Sequence, residues 1–185
     1  MSDFCQKSFK ALLSLALMHV AMIISIAFIF CSPAWSNDLD VLDELGAEEL
    51  VSQGGNLFYL DQIGIKNELY GVQEGSKQQV IIGQVGDRNV ADLGQYGHGN
   101  QVIAAQYGED NVLVAMQLGH GNSLNVSQVG ELNNANVSQE GQDNLAVIDQ
   151  NGYMNSASIE QIGSGLNSYV SQYGEGLQVA VKQVN

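Results

Sequence analysis

Two histidines, His98 and His120, stand in the same tetrapeptide, Gly-His-Gly-Asn, 22 residues apart. Imidazoles brought side by side by a fold can share a zinc or copper ion, or hold down each other's protonation. The alternative is a pair of exposed turn residues from a duplicated unit, and spacing alone does not separate the two. Far more regular are the side-chain amides. Glutamine recurs every 11 residues, at Gln62, Gln73, Gln84, Gln95, Gln106, Gln117, Gln128, Gln139, Gln150, Gln161, Gln172 and Gln183. Glycine follows two places later at Gly64, Gly75, Gly86, Gly97, Gly108, Gly119, Gly130, Gly141, Gly152, Gly163 and Gly174. Asparagine comes three places further on, at Asn67, Asn89, Asn100, Asn111, Asn122, Asn133, Asn144 and Asn155, with Gln78, Leu166 and Leu177 in its place elsewhere. An amide both donates and accepts, so the chemistry such residues can perform is self-recognition, each NH2 meeting the next carbonyl along a column.

The element that positions them follows from the residues between Asn and the next Gln. Apolar side chains fall two apart, as Ala91 and Leu93, Leu124 and Val126, Ala135 and Val137, or Ala146 and Ile148. Period two is a strand with one buried face. An 11-residue repeat could also wind a right-handed coiled coil, but a helix would carry a glycine in every unit at about 1 kcal/mol each. Asn, the apolar pair and Gln all point to one side of a strand of about seven residues. Because 11 is odd, straight continuation would send the next set to the wrong face. The Gly-x-x segment must therefore turn the chain and reset the phase, and glycine accepts the positive φ that such a turn requires.

Two 11-residue units then make one 22-residue coil. The expected fold is all-β, a cross-β solenoid of about twelve short strands, Asn56 to Gln183, in six coils, each strand pairing with those 22 residues before and after it, about 4.8 Å away. Inward Gln and Asn are expected to stack on their own kind and to specify register. The core is thin, since Ala occupies many apolar positions, and the only proline, Pro33, lies before the repeat. The repeat reaches Gln183-Val184-Asn185 with no capping segment in view, so open strand edges are expected to join other chains end to end.

The remainder of the chain divides simply. Lys7 and Lys10 precede an apolar run from Ala11 to Phe30, and small residues at Ala34 and Ser36 suit signal-peptide cleavage, giving a secretory signal over residues 1–36. Cys5 and Cys31 leave with it, so neither a disulfide nor a cysteine metal site is expected in the mature chain. Residues 37–55 begin with Asn-Asp-Leu-Asp-Val-Leu-Asp-Glu-Leu-Gly-Ala-Glu-Glu-Leu, six acids and no base, a solvated lead segment or an export address. Residues 56–185 carry the repeat. Beyond Ser36 only Lys66, Lys77, Arg88 and Lys182 oppose 19 acids, a balance of -15 that argues against nucleic-acid partners. No catalytic constellation or cofactor motif is visible, so no enzyme is expected. Asp87, Asp110, Glu131 and Asp143 stand in turns as solvated charges that limit lateral association. Val112, Val114 and Met116 point outward from one strand and could form a contact patch.

The pattern Asn-x-Ala-x-Val-x-Gln-x-Gly-x-x-Asn, read at Asn133–Asn144 (NNANVSQEGQDN) and varied at Asn144–Asn155 (NLAVIDQNGYMN), resembles the curlin repeat of bacterial curli subunits. The resemblance extends over nearly all of residues 56–185. It implies an extracellular, cell-surface functional-amyloid subunit serving biofilm formation and adhesion, exported through a dedicated outer-membrane machinery that reads the acidic lead segment, with itself or the other curli subunit as partner. Strict spacing, Asn at both strand starts and the divergent Leu166 and Leu177 are similar to the minor, nucleating subunit. A single late base, Lys182, is less like it, and the major fibre subunit is the alternative. A soluble solenoid that binds a carbohydrate or ice surface would want a flat face of repeated Thr or aromatics, and the chain has no Thr.

Overall fold

A computed structural model describes residues 49–53 and 55–185. The secretory signal over 1–36 and most of the acidic lead segment lie outside the described residues. All the described elements are strands: β1 (Glu49–Gln53), β2 (Asn56–Ile63), β3 (Glu68–Ser76), β4 (Gln79–Asp87), β5 (Val90–His98), β6 (Gln101–Glu109), β7 (Val112–His120), β8 (Ser123–Glu131), β9 (Asn134–Gln142), β10 (Leu145–Tyr153), β11 (Ser156–Ser164), β12 (Asn167–Glu175) and β13 (Gln178–Val184). Twelve of them, β2 to β13, are the repeat. Alternate strands fall into two parallel sheets, ordered β2-β4-β6-β8-β10-β12 and β3-β5-β7-β9-β11-β13. The register is 22 residues throughout, with Gln106 opposite Gln128 and Gly108 opposite Gly130. The chain is a parallel β-solenoid of six coils.

Two details depart from the spacing argument. The interior strands run nine residues instead of seven, continuing past Gln through Gly to the next residue. Gly takes a φ of 112° to 139° in every turn, yet the ladder survives there because the glycines of neighbouring coils bend identically. A Cβ on Gly108 would overlap the Gly130 carbonyl oxygen, and the same holds from coil to coil. Glycine is needed for close approach as well as for φ. The phase reset also uses a second left-handed residue two places on, at Lys66, Lys77, Arg88, Asp110, Leu132, Asp143 and Met154, with φ between 53° and 59°. Elsewhere this position holds Gly99, Gly121, Gly165 or Gly176.

Between the sheets the inward apolar residues form one continuous core, from Val80 and Ile82 through Leu113 and Leu124 to Ile159 and Val170. Large residues accompany small ones, as Val102 with Ala104 and Ala146 with Ile148. In the first coil this is extreme. Gly71 is inward, and a Cβ on it would strike the Phe58 ring, so Phe58 fills the space that Gly71 leaves.

β1 has no counterpart in the repeat. It pairs antiparallel with β2, Glu49 opposite Leu60 and Gln53 opposite Asn56. Strand β2 therefore has β1 on one side and β4 on the other. The sequence carries a signal for it, a Gly-Gly dipeptide at 54–55 of the kind favoured between hairpin strands.

Candidate functional site

The twelve repeat glutamines lie at the inward position that ends each apolar pair, and Gln84, Gln95, Gln106, Gln117, Gln128, Gln150 and Gln161 are fully buried. A buried amide left without partners costs on the order of 2 kcal/mol or more. Here the Nε2 of each of these seven donates to the next glutamine of its ladder and to a backbone carbonyl. Gln106 Nε2 gives one bond to Gln128 Oε1 in the next coil at 2.9 Å and one to the Val90 carbonyl on the opposing strand at 3.0 Å. Gln128 repeats this to Gln150 Oε1 and the Val112 carbonyl, at 2.9 and 3.0 Å. One ladder runs from Gln62 through Gln84, Gln106, Gln128 and Gln150 to Gln172. The other runs from Gln73 through Gln95, Gln117, Gln139 and Gln161 to Gln183. Every rung points the same way, donor toward the later coil.

The asparagines sit at the turns and point the other way. Asn111 Nδ2 donates back to Asn89 Oδ1 at 3.0 Å, and the Asn111 backbone N–H shares that oxygen at 3.2 Å. The same Nδ2 reaches forward to the Gly130 carbonyl at 2.9 Å, the glycine oxygen that a Cβ would have displaced. Asn89, Asn100, Asn122 and Asn133 make corresponding bonds to Gly108, Gly119, Gly141 and Gly152. Asn, Gly and turn therefore form one unit, and Asn67, Asn144 and Asn155 repeat its link to Gly86, Gly163 and Gly174.

Three positions break the column. Gln78 takes the Asn place and keeps the forward bond, to the Gly97 carbonyl at 3.2 Å, but its longer arm leaves Oε1 buried with no hydrogen-bond partner. Leu166 and Leu177 end the column by donating their backbone N–H to Asn144 Oδ1 and Asn155 Oδ1, both at 3.0 Å. Their side chains carry no oxygen onward. In the last coil Ser168 enters the core and gives its hydroxyl to Gln183 Oε1 at 2.7 Å.

The turn acids are not simply solvated. Arg88 holds Asp110 through Nε at 2.8 Å and Nη2 at 2.7 Å, and reaches Glu109 at 3.0 Å. These hydrogen bonds keep the Asp110 carboxyl below the usual carboxylate range. Asp87 accepts from the Ile65 N–H at 3.0 Å. Glu131 pairs in register with Glu109 and Tyr153, and Asp143 gives its N–H to the His120 carbonyl. His98 and His120 do stack in register, exposed, with ring centroids 6.3 Å apart and planes tilted by 60°. Ser76 Oγ lies 2.9 Å from His98 Nδ1. Among the described residues no group of three or more His, Cys, Asp or Glu could hold a metal ion, so the pair supplies two imidazoles and no third ligand from that set. Val114 and Met116 are exposed on β7, joined by Leu118.

Three overlapping stretches, residues 119–152, 141–174 and 154–184, match the family model of the curlin associated repeat. Residues 119–184 carry curlin associated repeats. The matched curlin repeats span β8 to β13, and β2 to β7 continue the same 22-residue register and the same Gln bonding outside the match. No curated protein and no solved structure matches the chain. What sequence reasoning missed in the curlin repeat is the second left-handed residue, although Gly99, Gly121, Gly165 and Gly176 mark that position in sequence.

Proposed function

We propose that the protein is a curli-type amyloid fibre subunit, and within that class the minor subunit that nucleates or anchors fibre growth for biofilm formation and adhesion. The curlin associated repeat supports the class, which is structural rather than enzymatic. One observation carries the assembly reading: two Gln ladders hydrogen-bond from coil to coil without a break, each rung offering its donor to the coil that follows. The Gln ladders have no internal reason to stop at a molecular boundary, because an added coil meets the same Gln amides. The nucleator role is supported by the strict 11-residue spacing and by Leu166 and Leu177 in the last coil. Residues 1–36 as a secretory signal and 37–55 as an export address complete the proposal, with export machinery and the other curli subunit as partners and the cell surface as location.

Seeding tests it. Substoichiometric protein is added to the soluble second curlin of the same organism, and thioflavin fluorescence is followed. A nucleator abolishes the lag at a low molar ratio; a lag that persists while this chain alone polymerises assigns the major-subunit role instead. Absence of thioflavin-positive fibres, alone and together, would falsify the fibre-subunit reading.

A further inference from the structure

The two ends of the solenoid differ chemically, and the difference bears on what can stack on each. Inside the stack an edge Asn gives its backbone N–H to the Oδ1 of the Asn one coil earlier, as Asn111 to Asn89, Asn133 to Asn111 and Asn155 to Asn133, at 3.1 to 3.2 Å. Asn56 and Asn67 open the two columns, and among the described residues no repeat coil precedes them, so a coil docked there would supply the earlier acceptor. Leu166 and Leu177 close them. A coil placed beyond β12 and β13 would find no oxygen for its own edge N–H groups. The Gln ladders make no such distinction, since they reach the last coil at Gln172 and Gln183.

We propose that the outer edge of β2 and β3 is a docking surface for a parallel coil of another curlin-repeat subunit that carries a side-chain oxygen acceptor at both edge columns. This rests on the fibre-subunit reading and adds the partner's chemistry. The chain's own last coil is a poor occupant. Stacked there in register it would continue both Gln ladders, Gln172 onto Gln62 and Gln183 onto Gln73, but it would set Leu166 against Asn56 and Leu177 against Asn67. Two amide columns would break at every junction between copies. β1 already occupies the β2 half of this edge and pairs Gln53 with Asn56, so the incoming coil engages β3 first and completes the joint by displacing β1. The surface thus discriminates: it admits a subunit with side-chain acceptors at both columns in preference to a second copy of this chain.

The test gives the chain the missing amides. Wild-type seeds are extended with soluble wild-type protein, with the L166N/L177N variant, or with L166A/L177A as a control that removes the leucines and adds no acceptor. The residual soluble concentration at the plateau and the elongation rate are measured. L166N/L177N should leave about tenfold less soluble protein, the effect of one to two hydrogen bonds of ordinary net strength, and should extend seeds faster, whereas L166A/L177A should not. Leu177→Asn alone, at a position 40% exposed, guards against misfolding and should show part of the shift. If wild-type seeds grow and both Asn variants behave like wild type, the proposal is overturned and the fibre reading stands. If no chain extends the seeds, the fibre reading falls with it.

Discussion

Gln78 shows what one methylene does inside an amide column. An Asn there would place its carbonyl where its neighbours place theirs, to receive a backbone N–H from the next coil, while its NH2 kept the bond to Gly97. The longer Gln arm satisfies the donor and strands the acceptor, and a buried carbonyl without a partner costs about 1 to 3 kcal/mol. Gln78→Asn should therefore stabilise the fold by about 1 to 2 kcal/mol, read as a higher guanidinium midpoint at unchanged m-value; a lower midpoint would refute the account. The regularity of the amides was legible in sequence because spacing is a one-dimensional property. The direction of their bonds was not. Gln donors point to later coils and Asn Nδ2–Oδ1 bonds to earlier ones, an opposition that arises because Gln projects inward across the sheets while Asn folds back along the turn.

At the scale of the element, the turn and the hairpin stand in contrast. The odd period predicts that a phase reset must occur and that glycine serves it. It cannot say that the reset takes two left-handed residues, because Lys, Arg, Asp, Leu and Met tolerate that conformation at a modest cost when the stacked coils enforce it. Glycine at the first of the two is different, since a carbonyl oxygen of the next coil occupies the site of any Cβ. β1 was hidden by its acidic, aperiodic surroundings, where charge suggested a solvated lead segment. Its antiparallel pairing covers the edge that a parallel neighbour would need. Val51→Pro removes an N–H from this strand and should weaken the pairing, shortening the lag of fibre formation severalfold in a thioflavin assay. An unchanged or longer lag would show that β1 does not restrain assembly.

For the whole molecule, charge opposes what the edges favour. The chain has a formal net charge of -14 and a sequence pI near 4.2, so copies approaching at pH 7 repel one another. Lowering the pH toward about 4.5 protonates part of the carboxylates and should shorten the lag, and added salt at pH 7 should do the same by screening. A lag indifferent to both would mean that charge does not limit assembly. Asp110 runs against the trend. Its folded pKa lies below the unfolded value, so its contribution is present above about pH 4 and disappears as the pH falls through the depressed value. The pair with Arg88 is open to solvent, so this contribution is small.

The order of residues was enough to establish a two-sided strand, a 22-residue coil and the identity of the inward set, because each follows from side-chain parity and an odd repeat length. It was not enough to establish which way each amide bond runs, how Phe58 comes to fill the space beside Gly71, why the strands continue through their glycines, or that β1 lies across one edge. Those depend on distances between residues brought together from different coils. Parity is inherited along the chain, whereas hydrogen-bond direction, close approach and edge coverage exist only once the coils are stacked.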